Sequence, residues 1–244
     1  MRYGIISDIH GNREALESTL AMLYGVGIDR LACLGDIVGY GADADACVDI
    51  VREHVDLCVI GNHDAAAVGR YDLSHANALA QEALIYSMKT LSKRNKDWLA
   101  ALPFVIREMD TSFCHGAPVE VETFEYVFSL DKAAMLSDHV EELSHVTFVG
   151  HSHLTTAYLV TERLTLQLDQ APRFQIRNGV KYVFNAGSVG QPRDRDKRAC
   201  SVIWDTQERS VTYLRVGYDI AAAAGKIIAA KLPSAFARRL EHGV

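Results

Sequence analysis

The chain has 244 residues, 49% of them hydrophobic and 23% charged, which is enough to bury a sizeable core in one or two domains. A net charge of −6 and a pI near 5.9 exclude general electrostatic affinity for nucleic acid or anionic lipid. Positive charge facing an anionic substrate must therefore be local, and bound metal ions are the obvious source.

The elements alternate at first. Residues 3–7 form a short apolar run that reads as a strand. A helix follows, with Leu16, Leu20, Leu23 and Tyr24 on one face, stopped by Gly25 and Gly27. Residues 30–34 are a second strand. Asp43 can cap a second helix, in which Ala44, Cys47, Val48 and Val51 recur at helical spacing. Residues 57–60 are a third strand. This order implies a parallel sheet with right-handed crossovers.

Residues 76–101 read as helix, free of Gly and Pro, and 104–109 and 111–114 as strands. One helix is expected around 131–138. From Val146 the chain turns β-rich, with strands at 146–149, 156–160, 164–168, 173–176, 182–185, 199–204 and 211–216. Residues 220–231 form a terminal helix, after which Phe236 and Leu240 pack either on the chain's own sheet or on a second subunit. No repeat, linker or low-complexity tract interrupts the chain, so a single domain over 1–244 with two sheets is expected.

Five cysteines, Cys33, Cys47, Cys58, Cys114 and Cys200, contain no C-x-x-C pair and lie mostly in apolar runs. They read as buried thiols of a reducing cytoplasm. The N-terminal residues are not expected to form an export signal, and no run of about 20 apolar residues is available to span a membrane. No nucleic-acid-binding motif or basic stripe is present.

Five blocks carry chemistry: Asp8-Ile-His10-Gly-Asn, Gly35-Asp36, Gly61-Asn62-His63-Asp64, His115-Gly116 and Gly150-His151-Ser-His153. Each follows a strand and opens a loop. Ligands of open α/β sheets collect at the carboxyl ends of strands, so the five loops can converge on one crevice. Asp8 and Asp36 offer anionic oxygen, Asn62 a neutral carbonyl oxygen and the histidines imidazole nitrogen. Such mixed sites suit manganese, iron or zinc. Singly, Gly35-Asp36 and Asp8-x-His10 are weak signals, His115 alone would read as a satisfied buried histidine, and Gly-Asn-His-Asp and Gly-His-x-His are each moderately specific. Together and in order they are strong.

The order D-x-H, G-D, G-N-H-D, H, G-H-x-H resembles the calcineurin-like metallophosphoesterases. The loop Gly35-Asp-Ile-Val-Gly-Tyr-Gly41 and the late block Asn185-Ala-Gly-Ser-Val-Gly-Gln-Pro-Arg193 are similar to their small bacterial and archaeal phosphodiesterase branch. The likeness covers roughly residues 3–216; Ala186 stands where many relatives have proline. It implies a four-layer α/β/β/α sandwich with two mixed β-sheets and two divalent metal ions. Asp8, His10 and His153 would bind the first ion, Asn62, His115 and His151 the second, and Asp36 would bridge them. His63 would face substrate as general acid, oriented by Asp64. A hydroxide shared by the metals would attack a small phosphodiester or nucleotide-type substrate.

Several positions stay open. Asp64 reads equally as a local loop cap. Arg193 either contacts substrate phosphate or is an ordinary turn arginine, and Asn12 either caps the first helix or binds phosphate. Tyr40 lines the rim or packs the loop. The alternating charges at 194–198 read as a solvated hairpin, and residues 117–145 with His75 as a rim or lid. The resemblance also admits a phosphoprotein phosphatase, a dinucleoside-polyphosphate hydrolase, and a non-catalytic scaffold or nucleotide sensor. Gly-Asn-His-Glu is the commoner block in the protein phosphatases, and Asp64 departs from it.

Overall fold

The computed structural model describes all residues 1–244. Two six-stranded mixed sheets face each other. The first has the order β3-β2-β1-β11-β12-β9, built from β1 (Arg2–Ile6), β2 (Arg30–Cys33), β3 (Leu57–Cys58), β9 (Arg173–Gln175), β11 (Ala199–Asp205) and β12 (Ser210–Val216). The second has the order β4-β5-β6-β10-β7-β8, built from β4 (Val105–Glu108), β5 (Thr111–Cys114), β6 (Val146–Val149), β7 (Ala157–Val160), β8 (Thr165–Gln167) and β10 (Lys181–Asn185).

Period-two burial assigns the layers. Tyr3, Ile5, Ala32 and Leu34 of the first sheet's strands and their ends meet Phe113, Phe148 and Phe184 of the second in a core between the sheets. The alternate residues Ile6, Leu31 and Cys33 join a second core beneath the helices α1 (Arg13–Gly25) and α2 (Ala44–His54). Cys114, Val149 and Val183 face outward under α6 (Leu130–Ala134) and the 3₁₀ turns of Met135–Glu142. The result is the expected α/β/β/α sandwich.

The sequence misplaces some boundaries. Tyr24 is 47% exposed: it lies about 100° round from Leu23, off the stripe formed by Leu16, Leu20 and Leu23. Asp43 occupies the N-cap of α2 without a capping bond, because its carboxylate accepts from Lys226 Nζ at 2.5 Å. The expected helix over 76–101 is two, α4 (Ala78–Thr90) and α5 (Lys93–Ala100), with α3 (Asn62–Ala67) before them. Leu91 turns extended and enters the core, and Ser92 caps α5 through Asn95 N–H at 3.3 Å. The strand expected at 57–60 shortens to two residues, and Ile60 N–H then donates to Pro103 O at 2.9 Å.

The last helix, α7 (Ile220–Ala229), is followed by α8 (Ser234–His242). Phe236 and Leu240 pack within this chain, on Tyr40, Ala83 and Ile227. The run at 194–198 is not uniformly solvated. Asp194 is only 10% exposed in its side chain and pairs with Arg215 across to β12. No helix is long and apolar enough to cross a membrane.

Candidate metal centre

Strand direction builds the site. β1, β2 and β3 run parallel in one sheet, and β5, β6 and β10 run parallel in the other. Their carboxyl ends meet along one edge, and each delivers a loop: Asp8 and His10 after β1, Asp36 after β2, Asn62 after β3, His115 after β5, His151 and His153 after β6. Asp8, His10, Asp36, His115, His151 and His153 are all buried.

Their ligating atoms cluster. Asp8, His10 and His153 form one group, and Asp36, His115 and His151 another, with the atoms of each group within 4.8 Å of one another. Asp36 lies between the groups: its Oδ2 is 3.6 Å from His10 Nε2 and 3.3 Å from His115 Nε2. Asn62 Oδ1 sits 3.2 Å from His115 Nε2. Asp8 Oδ1 is 3.2 Å from His153 Nε2 and has no hydrogen-bond partner.

Backbone carbonyls fix the imidazole tautomers. His10 Nδ1 donates to Val38 O at 3.0 Å, His115 Nδ1 to Leu34 O at 2.8 Å and His153 Nδ1 to Gln191 O at 2.6 Å. A carbonyl only accepts, so Nδ1 carries a proton in each ring and Nε2 is the nitrogen turned to the cluster, bare wherever the ring is neutral. Three such nitrogens therefore point at carboxylate oxygens, at the Asn62 oxygen and at each other. This is the outer-shell pattern that orients metal-ligating histidine. The donor set fits a divalent cation, which would satisfy acceptors that nothing else on the chain satisfies.

The charges agree. Burial pushes the Asp36 carboxyl up, but the positive histidines around it, His115 first, hold it well below the usual carboxylate range. Burial lifts Asp8 to about 6, with the Asp36 charge adding to it. Burial opposes a charged His115, yet the Asp36 and Asp8 carboxylates raise it to about 9. Burial drives His10, His151 and His153 well below the ordinary histidine range. These carboxylates attract positive charge, whether an imidazolium or a metal cation supplies it.

The backbone is strained in the same place. Asp8, His10, Asp36, His151 and His153 all adopt positive φ, between 49° and 68°. Non-glycine residues rarely do so, and such outliers cluster at functional sites. Gly61 has a steric reason: a Cβ there would overlap Asp36 Oδ1 and the Asp36 backbone N.

His63 opens α3 beside the cluster, its ring 4.8 Å from His10 and 4.6 Å from Tyr40, and burial lowers its pKa. Its Nδ1 is buried without a hydrogen-bond partner. Asp64 lies in the same turn, but its carboxylate accepts from the N–H groups of Ile37, Val38 and Gly61 at 2.9, 3.1 and 3.2 Å. Of the two readings of Asp64, this geometry is the loop cap. Burial and the Asp36 charge nonetheless lift it to about 7. Arg193 is half-buried, with its Cζ 5.7 Å from the Tyr40 ring and its Nη2 donating to Gln191 Oε1 at 3.1 Å. Asn12 caps α1 through Ala15 N–H at 3.1 Å and donates to Gly190 O at 2.9 Å.

Tyr40, open between rim and loop packing in the sequence, is buried with its ring 4.3 Å from His10 and 4.7 Å from Phe236, so it braces the site from the α8 side. The sequence reading gave no role to two further residues. Asn185 Nδ2 donates to Gly150 O and Ser152 Oγ at 2.6 and 2.8 Å, holding the loop that carries His151 and His153. A polar residue ending an apolar strand was its only signal. Tyr126 stacks on His151 with ring centroids 3.7 Å apart, from a segment with no periodicity to read.

A two-sheet sandwich with a histidine–carboxylate cluster at the strand ends defines a metallophosphoesterase-like protein. The calcineurin-like phosphoesterase superfamily domain matches residues 1–209, and the chain belongs to that family. It is 35% identical to the uncharacterized protein MJ0912 of Methanocaldococcus jannaschii, over 98% of this chain and 97% of that one. A metallophosphoesterase structure from Sphaerobacter thermophilus superposes with a TM-score of 0.85 at 33% identity, covering 100% of this chain and 99% of the other. The hypothetical protein PH1004 of Pyrococcus horikoshii OT3 shares the fold with a TM-score of 0.79 at 18% identity, covering 100% and 98%.

Proposed function

We propose that the protein is a single-domain, dinuclear-metal hydrolase of phosphodiester or nucleotide-type substrates, acting in a reducing cytoplasm. One observation carries the reading: three histidines, each oriented by a backbone carbonyl at Nδ1, turn their Nε2 atoms onto two buried carboxylates, with Asp36 placed between the two groups. Asp8, His10 and His153 would hold one ion, Asn62, His115 and His151 the other, and Asp36 both. Manganese, iron or zinc suits these ligands. Bound divalent ions would supply Lewis-acid polarisation of phosphoryl oxygen and a lowered pKa for water.

The chain's own side chains do the rest. His63 stands beside the cluster, where it would pass a proton to a departing ester oxygen. Tyr40 and His10 pack against two sides of its ring and hold it in place. Arg193 extends its guanidinium beside Tyr40, where a phosphate or its substituent would meet a fixed positive charge. Asp64 keeps the Gly35–Tyr40 turn in shape by accepting its N–H groups. The five cysteines are free and buried, as in a reducing compartment.

The test is hydrolysis of bis-p-nitrophenyl phosphate and p-nitrophenyl phosphate with added manganese, with metal content measured. Metal-dependent cleavage of the diester supports the reading. A protein that holds two ions and cleaves neither compound, nor a small nucleotide panel, is a scaffold or sensor instead.

A further inference from the structure

Tyr126 divides the mouth of the site into two clefts. On one side lie Asn62, Tyr71, Asp72, Glu125 and His151. On the other, Tyr126, Phe128, Leu154, Ser152 and Arg193 line an open cleft of about 320 Å³, near the lower limit of the ~300–1,000 Å³ typical of small-molecule sites. The two clefts differ in charge. The first carries two carboxylates that repel an anionic chain, and the second carries the Arg193 guanidinium.

The second cleft is apolar and aromatic where solvent exposure is unfavourable. Tyr126 and Phe128 remain 42% and 46% exposed beside a buried polar centre, their rings 6.0 Å apart at 79°. Paired exposed aromatics of this kind mark contact surfaces rather than packing. A planar ring lying on Phe128 would meet Tyr126 edge-on, an arrangement aromatic groups favour. Arg193 lines this cleft and uses Nη2 on Gln191 Oε1, and its guanidinium keeps further N–H donors for a ring carbonyl or a phosphate oxygen. Ser152, which lines the cleft, directly follows His151, so the cleft adjoins the metal cluster.

We infer that this cleft is a subsite for the nucleobase of a nucleoside phosphodiester, with Tyr126 and Phe128 as its specificity-determining residues. The inference rests on the hydrolase reading for its place beside the phosphate, though not for base binding itself. A nucleobase fits better than an alkyl chain, since the walls offer two ring faces and a guanidinium rather than an enclosed aliphatic channel.

Thymidine 5′-monophosphate p-nitrophenyl ester and methyl p-nitrophenyl phosphate share a leaving group and differ only in the second arm. With added manganese, kcat/KM for the nucleoside ester is expected to exceed that for the methyl ester by about tenfold or more. Phe128→Ala and Tyr126→Ala should each shrink that ratio by about tenfold, mainly through KM, while Phe128→Trp preserves it. Partial unfolding or metal loss lowers both substrates together and leaves the ratio alone. A ratio unmoved in both alanine variants overturns the subsite. If the wild type cleaves neither ester, the hydrolase reading falls separately, and saturation-transfer NMR with thymidine 5′-monophosphate decides the subsite. Saturation of the thymine protons in the wild type but not in Phe128→Ala supports it, and none in the wild type overturns it.

Discussion

His10 Nε2 and His153 Nε2 face each other at 3.1 Å, and each ring has already committed its Nδ1 proton to a backbone carbonyl. Two neutral imidazoles in that pose aim lone pairs at one another, which is repulsive unless a cation lies among them. Metal should therefore stabilise the folded chain. At a free concentration a hundred times Kd, a ligand that binds only the native state adds about 2.7 kcal/mol. For a chain of this size each kcal/mol moves Tm by roughly 2–4 °C. Adding manganese to chelator-treated protein should thus raise Tm by about 5–10 °C in differential scanning fluorimetry. His153→Ala should abolish most of that rise. A Tm indifferent to manganese in the wild type would count against a metal site.

His63 is the one site histidine that opens a helix beside the cluster without a fixed tautomer, since its Nδ1 has no partner. A ring free to exchange its proton suits a general acid. His63→Ala should keep the full metal content and the wild-type melting curve. Its kcat should fall by roughly 10²–10⁴-fold on a substrate with a poor leaving group, and by less on p-nitrophenyl esters, whose leaving group needs little protonation. Loss of metal in this variant would make His63 a ligand instead.

Asp64 should behave oppositely. Its two oxygens accept three backbone N–H groups, Ile37 and Val38 from the turn after Asp36 and Gly61 from the loop before α3. Asp64→Asn leaves Oδ1 for Ile37 and Val38 but turns an amide NH₂ toward the Gly61 N–H, donor against donor. The expected penalty is about 1–3 kcal/mol, or a Tm drop of roughly 2–12 °C. Variant that remains folded should keep kcat within a few-fold of wild type. A large kcat loss at unchanged Tm would return Asp64 to the orienting role.

The metal-site blocks were legible because each one follows a strand, and strand order is carried by period-two burial that composition and spacing express directly. Asp8, His10, Asp36, Asn62, His115, His151 and His153 all come from such positions, and the structure brings all seven to one edge. Asp64 was ambiguous because one carboxylate can serve a side chain or a turn, and only the fold reveals which donors reach it. The break in the expected 76–101 helix was hidden because no Gly or Pro marks it: Asp45 captures Ser92 N–H at 2.8 Å, a contact 47 residues away in sequence. The positive φ values at five candidate ligands left only a faint trace: Asp and His enter that region more readily than most residues, but the strong signal, glycine, stands beside them rather than at them. Tyr126 and Phe128 lie in a segment whose elements are 3₁₀ turns and one short helix, too irregular for periodicity to locate.

Gly39 tests how tightly the His63 ring is held. Its φ is +93°, and a Cβ at this position would fall inside the contact distance of His63 Nδ1. Gly39→Ala therefore brings two separable penalties. Forcing an L-residue into this backbone costs on the order of 1 kcal/mol or more, which lowers Tm by a few degrees. The methyl group also pushes the His63 ring off its place between His10 and Tyr40, and a displacement of about 1 Å can lower turnover by roughly 10²-fold. Gly25→Ala provides the contrast. Gly25 closes α1 with nothing within 4 Å of a Cβ, so alanine there should be neutral or stabilise by up to about 1 kcal/mol and leave kcat unchanged. Steady-state kinetics and melting curves on both variants separate the effects. A Gly39→Ala protein that loses stability but keeps kcat would show that His63 tolerates displacement, and its role in proton transfer would then be untenable.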